Sequence, residues 1–425
     1  MSIATSSHPA RRLAATYREA GYAHIDFDDF HQHKLPQDMG DALWRDAARD
    51  VIGRPPLAVR LDDGRAYSYV ANRGVIEIHR GVVEDAETVL GIDEHAWIDY
   101  VYGFRSRFGL IYSRAVEFVR GDFAGWDAWD PAMLCMYSGQ EVYDPLRVDL
   151  RDLDGSPLDL QRTFDIDDSQ VQMSHFLRTT GYLVVRNAFP AAQIQMISDE
   201  VDRLRDMAKE GDFGTYFTTL ADGRKMCNYL NYCGERSAPI AALDDDPTVR
   251  KLMALSGFDL VPVPDRVEGH KVILKEFGPD STATGLGNTP WHTDCGMGGC
   301  TIVCPSVSVG MPLDVMDEDS SQLFQMPGSW GKAAHQIWDE EREAKRVPLK
   351  AQPGDATVHF GCNLHAGLPP TGHGRRRTLY TAFYSPQVHE IIGHHQSYQD
   401  QIPGFNEGQM QSIKDRLAEE ATPTN

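Results

Sequence analysis

His292 and Asp294 stand two positions apart in the stretch Pro290-Trp291-His292-Thr293-Asp294. On a β-strand residues i and i+2 share a face, so this imidazole and this carboxylate can reach one metal ion together. Two histidines and one carboxylate on one face of Fe(II) leave the opposite positions open for a keto-acid cosubstrate and O2. The third ligand must come from elsewhere, and both His365, in Leu364-His365-Ala366-Gly367, and the nearby His359 compete for that place. A bare His-x-Asp pair carries little weight, since a second one, His24-Ile25-Asp26, also occurs and reads as chance. The weight lies in an ordered set: the pair, then Gly354-Asp355-Ala356-Thr357, then His365, then Arg375-Arg376-Arg377-Thr378. The far carboxylate of a cosubstrate such as 2-oxoglutarate needs a cation deep in the pocket. Arginine suits it, because its planar fork binds a carboxylate with two hydrogen bonds. If Arg376 points inward, strand alternation turns Arg375 and Arg377 away.

The whole set resembles the phytanoyl-CoA dioxygenase family of Fe(II)/2-oxoglutarate oxygenases. That family has an HxD pair, a PGS-type turn, a GD strand, a distal histidine, and an arginine eleven positions further on. The counterparts are His292 and Asp294, Met326-Pro327-Gly328-Ser329, Gly354-Asp355, His365 and Arg376. The family's opening is matched by Phe176-Leu177-Arg178-Thr179-Thr180-Gly181-Tyr182-Leu183-Val184-Val185, and the likeness covers roughly residues 165–400. The spacing selects His365 over His359, because the residue eleven beyond His359 is Pro370, which cannot bind a carboxylate. The resemblance implies that His292, Asp294 and His365 hold Fe(II) and that Arg376 anchors 2-oxoglutarate. It implies a jelly roll (double-stranded β-helix) with flanking helices.

The elements that must position this set fit such a fold. From His270 onward short alternating runs recur, at His270–Phe277, Thr301–Val309 and residues 347–350, 355–360 and 377–384, separated by Gly/Pro turns. Ahead of them lie a helix through Met173, Phe176 and Leu177, the strand Tyr182–Arg186, and an amphipathic helix from about 191 to 209. Residues 211–240, rich in tyrosine and glycine, read either as a lid or as a packed surface loop. A last helix carries Met410, Ile413 and Leu417 on one face.

The N-terminal part opens with predicted helices over residues 8–20 and 36–52. The strands Leu57–Leu61, Tyr67–Val70 and Val75–Ile78 follow, joined by Asp62-Asp63-Gly64 and Asn72-Arg73-Gly74. Asp93 can cap a helix through Trp97, Ile98 and Val101, and strand 115–119 leads to a tryptophan-rich helix with Trp126 and Trp129. About residues 45–140 resemble the sterol-carrier-protein fold through Gly74-Val75-Ile76-Glu77-Ile78, Asp85-Ala86-Glu87-Thr88-Val89 and Arg120-Gly121-Asp122. His79 and the three tryptophans read as core or interface. Aspartates crowd residues 141–168 and suggest a solvated linker. The expected organisation is α+β: a small α/β sterol-carrier-like domain over 1–140, the linker over 141–168, and the jelly-roll oxygenase over 169–425.

Composition narrows the function. A net charge of −21 over 425 residues argues against nucleic acid and anionic membranes as partners. The seven scattered cysteines show no disulfide framework, and no apolar run is long enough for a signal peptide or a membrane span, so a cytoplasmic place is expected. Cys300 and Cys304 read as small strand residues, since no second pair completes a zinc site. The expectation is a dioxygenase that uses O2 to hydroxylate an unactivated C–H bond of a small, apolar, lipid-, terpenoid- or steroid-like substrate, releasing succinate and CO2. The N-terminal domain offers a surface for homo-oligomer contacts. The alternative is a lipid-binding or transfer protein with an inactive oxygenase-like domain.

Overall fold

The computed structural model describes residues 16–388 apart from 39–41, 113, 211, 213, 263–268, 277, 279–288, 295–303 and 368–370. Most of the predicted helix 8–20, all of the one through Met410, Ile413 and Leu417, and Cys295 and Cys300 lie outside the described residues. Cys227 and Cys233 are buried thiols.

The N-terminal sheet holds β1 (Leu57–Leu61), β2 (Ala66–Asn72), β3 (Val75–Arg80), β4 (Thr88–Ile92) and β5 (Val116–Arg120), in the order β3-β2-β1-β4-β5. The β2–β3 turn closes with Asn72 opposite Val75, and its two central residues, Arg73 and Gly74, take φ of 49° and 84°, the primed geometry that matches strand twist. Asp93 caps the helix Glu94–Tyr102 by accepting from the amides of His95 and Ala96. Trp97, Trp126 and Trp129 are core residues, while His79 stays at the surface beside Glu77. Asp26 of the second His-x-Asp pair caps a short helix by accepting from the Asp29 amide.

The remaining strands are β6 (Phe164–Asp165), β7 (Tyr182–Arg186), β8 (Thr215–Thr219), β9 (Lys225–Leu230), β10 (Val261–Pro262), β11 (Lys271–Lys275), β12 (Thr289–His292), β13 (Val307–Pro312), β14 (Leu323–Gln325), β15 (Val347–Leu349), β16 (Ala356–Phe360), β17 (His365–Gly367) and β18 (Arg376–Tyr384). Among the described residues they form a large sheet, β6-β7-β16-β13-β18-β11-β9-β8 with β10 on β18, and a small one, β12-β17-β14-β15. One apolar core takes Val272, Val309, Val358 and Phe383 from the large sheet, Leu323 and Leu349 from the small one, and Ile197, Val201 and Leu204 from the helix Ala191–Met207. The fold is thus mixed α+β. Residues 211–240 differ from a lid or loop: they hold the β8–β9 hairpin at the end of the large sheet, where Tyr216 and Tyr229 pack together with Ile273.

The two halves meet through buried polar groups. The Asp127 carboxylate accepts from the amides of Gln336 and Ile337 at 2.9 and 3.1 Å and pairs with Arg107 at 2.6 Å. His335 lies between the Asp127 carbonyl, at 2.8 Å, and the Asp50 carboxylate, at 2.9 Å. Ala382, Tyr384 and Val388 of the C-terminal half sit in the N-terminal core. Along residues 141–168, Tyr143 donates to the Pro327 carbonyl, Phe164 is buried, and β6 pairs with β7.

A second buried histidine fixes a pH dependence. His31 Nδ1 donates to the Phe27 carbonyl at 2.7 Å, which leaves Nε2 to accept from the Tyr69 hydroxyl at 2.6 Å; Tyr69 in turn bonds Tyr137. Burial brings the His31 pKa down to about 4. The unfolded chain therefore binds a proton near pH 6.5 that the native state refuses, so stability falls as pH drops from about 6.5 towards 4. The slope rises from half of about 1.4 kcal/mol per pH unit at pH 6.5 towards the full value, so wild type should lose about 1.5 kcal/mol more than His31→Gln between pH 6.5 and 5. Urea melts at the two pH values check this; equal losses in both proteins contradict it. His335, whose pKa burial lowers but Asp50 and Asp127 together raise, has the opposite sign and is common to both proteins.

Candidate metal and cosubstrate site

Strand register brings the two histidines together. β12 and β17 run antiparallel with His292 opposite His365, and the ring centroids lie 4.3 Å apart. Asp294 follows the end of β12, where its amide donates to the Gly361 carbonyl at 2.7 Å. One ligand atom from each of His292, Asp294 and His365 lies within 4.8 Å of the others, as a shared metal ion requires. Both rings are oriented in the same way. His292 Nδ1 donates to the Pro290 carbonyl at 2.7 Å and His365 Nδ1 to the Asn363 carbonyl at 2.8 Å, which leaves each Nε2 to face Asp294.

The turn residues hold the distal histidine in place. Ser329 Oγ accepts from the Leu364 amide at 2.8 Å and donates to Asn363 Oδ1 at 3.0 Å, while Asn363 Nδ2 donates to Gln325 Oε1 at 2.6 Å. Gly181 packs so closely on Asn363 that an added Cβ would stand 2.1 Å from Oδ1, which explains a glycine there. Asp355 serves a turn: its oxygens accept from the amides of Asn187 and Gln352.

Burial decides the charges. It lowers the pKa of His292 and holds that of His365 well down, the second histidine adding to the effect on His365. Burial alone would raise Asp294, but the Lys271 ammonium and the neighbouring histidines outweigh it and hold the carboxyl well below its usual range. The site is thus two neutral imidazoles and one carboxylate, a donor set suited to a divalent cation.

Arg376 lies inside, with 1% of its surface exposed. Its Nη1 donates to the Ser321 carbonyl at 2.6 Å, Nη2 to the Tyr380 hydroxyl at 2.9 Å and Nε to Thr378 Oγ1 at 3.2 Å. Arg375 and Arg377 instead pair with Asp314, and Arg377 also with Asp202. Opposite Arg376 in register is Lys275, which the sequence reading missed. Its ammonium donates to the Gly367 carbonyl at 2.7 Å and to Ser321 Oγ at 3.0 Å. Burial, with Arg376 next to it, pushes the lysine pKa well below its usual value. Among the described residues no carboxylate pairs with either cation, so the site fits an incoming carboxylate. Lys271, on the same face of β11, lies 3.5 Å from Asp294 Oδ1. The signal for these lysines was their spacing in Lys271-Val272-Ile273-Leu274-Lys275, two charges on one face of an apolar strand. His359, the rival for third ligand, stands outside the three-residue group, with Nε2 3.7 Å from Asp294 Oδ2.

The model of the phytanoyl-CoA dioxygenase (PhyH) family matches residues 177–378. No curated protein matches the chain. Similar solved structures include the non-haem α-ketoglutarate-dependent epimerase SnoN from nogalamycin biosynthesis, at 18% identity and a TM-score of 0.38 over 50% of this chain and 81% of that one. AviO1 from Streptomyces viridochromogenes Tue57 gives 19% and 0.36 over 51% and 96%. The carbocyclase SnoK from nogalamycin biosynthesis gives 13% and 0.40 over 56% and 97%. Residues 177–378 are a phytanoyl-CoA dioxygenase family domain, and its cofactors are Fe(II) and 2-oxoglutarate.

Proposed function

We propose that this chain is an Fe(II)/2-oxoglutarate-dependent dioxygenase that hydroxylates an unactivated C–H bond of a small, apolar substrate. The observation that carries the reading is the pairing of two sites. Two imidazoles and a carboxylate converge within 4.8 Å, and two buried cations without a described counter-ion stand beside them. His292, Asp294 and His365 hold the iron. Arg376, with Lys275 as a second cation, receives the far carboxylate of 2-oxoglutarate. When bound, iron and cosubstrate supply the oxidising power, with O2 consumed and succinate and CO2 released. The protein supplies orientation and a dry pocket. Tyr216, Tyr229 and Ile273 give the inner wall an apolar patch beside Lys275 and Lys271, which favours an apolar substrate body.

The reading extends to the architecture. Residues 169–425 form the jelly-roll, or double-stranded β-helix, oxygenase unit and residues 141–168 the connection to it. Residues 1–140 are a sterol-carrier-like α/β domain; its five-stranded sheet with helices over one face supports this assignment. The protein works in the cytoplasm.

Single substitutions separate the two parts of the site. His292→Ala, Asp294→Ala and His365→Ala should each fold yet lose iron and turnover, because a missing ligand sharply weakens the metal. Metal analysis of the folded variants checks this, and full iron occupancy in His365→Ala would move the third ligand elsewhere.

Arg376→Ala should keep iron but raise the apparent KM for 2-oxoglutarate. Losing one partner of a buried charge-assisted pair costs about 2–5 kcal/mol, on the order of 30- to several-thousand-fold. Arg376→Lys should recover part of the loss, since lysine keeps the charge without the fork. Arg375→Ala, whose side chain faces solvent and Asp314, should leave KM near wild type. A KM defect in Arg375→Ala with none in Arg376→Ala contradicts the assignment.

A further inference from the structure

His359 is a buried imidazole that neither the three-residue metal group nor the cosubstrate cations account for. It sits on β16, held on one side by Ser308 of β13 and on the other by Tyr182 of β7. Ala356, Val358 and Phe360 of that strand enter the apolar core, so alternation turns His359 to the opposite face. There its ring stands 4.9 Å from that of His365 and 6.0 Å from that of Tyr380, with 2% of the residue exposed. Among the described residues its Nδ1 has no hydrogen-bond partner. A phenylalanine would fill the same volume without burying an unpartnered nitrogen, so packing alone gives no reason for a histidine.

The two oxygens of Asp294 have different company. Oδ1 faces His292 Nε2 at 3.8 Å, His365 Nε2 at 3.7 Å and Lys271 Nζ at 3.5 Å. Oδ2 faces His359 Nε2 at 3.7 Å. A proton on His359 Nδ1 would be a buried donor with no acceptor among the described residues, whereas a proton on Nε2 points to the carboxylate. We propose that His359 is a positioning residue for the metal carboxylate: its Nε2–H, 3.7 Å from Asp294 Oδ2, attracts that oxygen and so favours Oδ1 for the ion shared with His292 and His365. The inference rests on the metal site proposed above. Its consequence is geometric. A carboxylate free to turn can bind through both oxygens and fill a position that the cosubstrate or O2 needs; one tethered at Oδ2 binds through Oδ1 only. A central strand paired on both sides is a rigid mount for that tether.

Anaerobic Fe(II) titration of the full chain tests this. His359→Phe, which keeps the ring and removes the donor, should weaken iron binding about 10- to 100-fold with an unchanged thermal midpoint. His359→Gln, whose amide can donate from a similar reach, should restore most of that affinity. Wild-type affinity in His359→Phe overturns the proposal, and so does equal weakness in His359→Phe and His359→Gln, which would mean packing. A loss as complete as that of His365→Ala would make His359 a ligand and also overturns it. His365→Ala titrated alongside keeps the two ideas apart: wild-type iron affinity there removes the metal site itself, whatever His359 does.

Discussion

The site depends on the register of one short antiparallel pair. β12 and β17 place His292 directly opposite His365, and a slip of one residue would turn one imidazole to the other face of the sheet. Little in the two strands themselves fixes that register, because each is short. It is fixed from outside. Asn363, Ser329 and Gln325 lock the approach to β17, and the Asp294 amide is tied to the Gly361 carbonyl. The glycine at 181 exists so that Asn363 can come close. The Gly181, Ser329 and Asn363 pieces, scattered in the sequence, are in this sense one device: together they hold the histidine-bearing strand β17 at its offset.

Electrostatics gives the same site its direction. The interior carries the half-buried Asp294 at one place and the buried cations Lys275 and Arg376 at another. Burial makes each charge costly unless something neutralises it. Asp294 has Lys271 and the histidines around it, and a metal ion would complete that neutralisation. Among the described residues Lys275 and Arg376 have only neutral oxygens, from Ser321, Gly367, Thr378 and Tyr380. The native fold therefore holds an unfavourable arrangement that a dicarboxylate bound across the two places would relieve. That surplus is the physical source of cosubstrate affinity in this account.

Much of this is legible in the sequence. Strand alternation and the family spacing singled out His292, Asp294, His365 and Arg376; the structure brings the first three together and turns Arg376 inward while its neighbours face Asp314. Local signals also worked where the physics is local, as at the Asp93 cap and the Arg73-Gly74 turn. What escaped was non-local. The inward face of β11 needed the β11–β18 register before Lys275 could be set against Arg376. The β8–β9 hairpin reads as loop because its aromatic and polar residues gain their strand character only beside β11. The polar seam of Asp50, Asp127 and His335 joins residues hundreds of positions apart, and no periodicity announces it.

On the reading proposed above, His292, Asp294 and His365 would hold one iron and Arg376 would receive the far carboxylate of one 2-oxoglutarate. Anaerobic titration of the wild-type chain with Fe(II) and 2-oxoglutarate, followed by visible absorption, tests it most directly. A metal-to-ligand charge-transfer band that needs both components and saturates at one iron per chain is expected. Stoichiometric iron binding with no such band at saturating 2-oxoglutarate would contradict it.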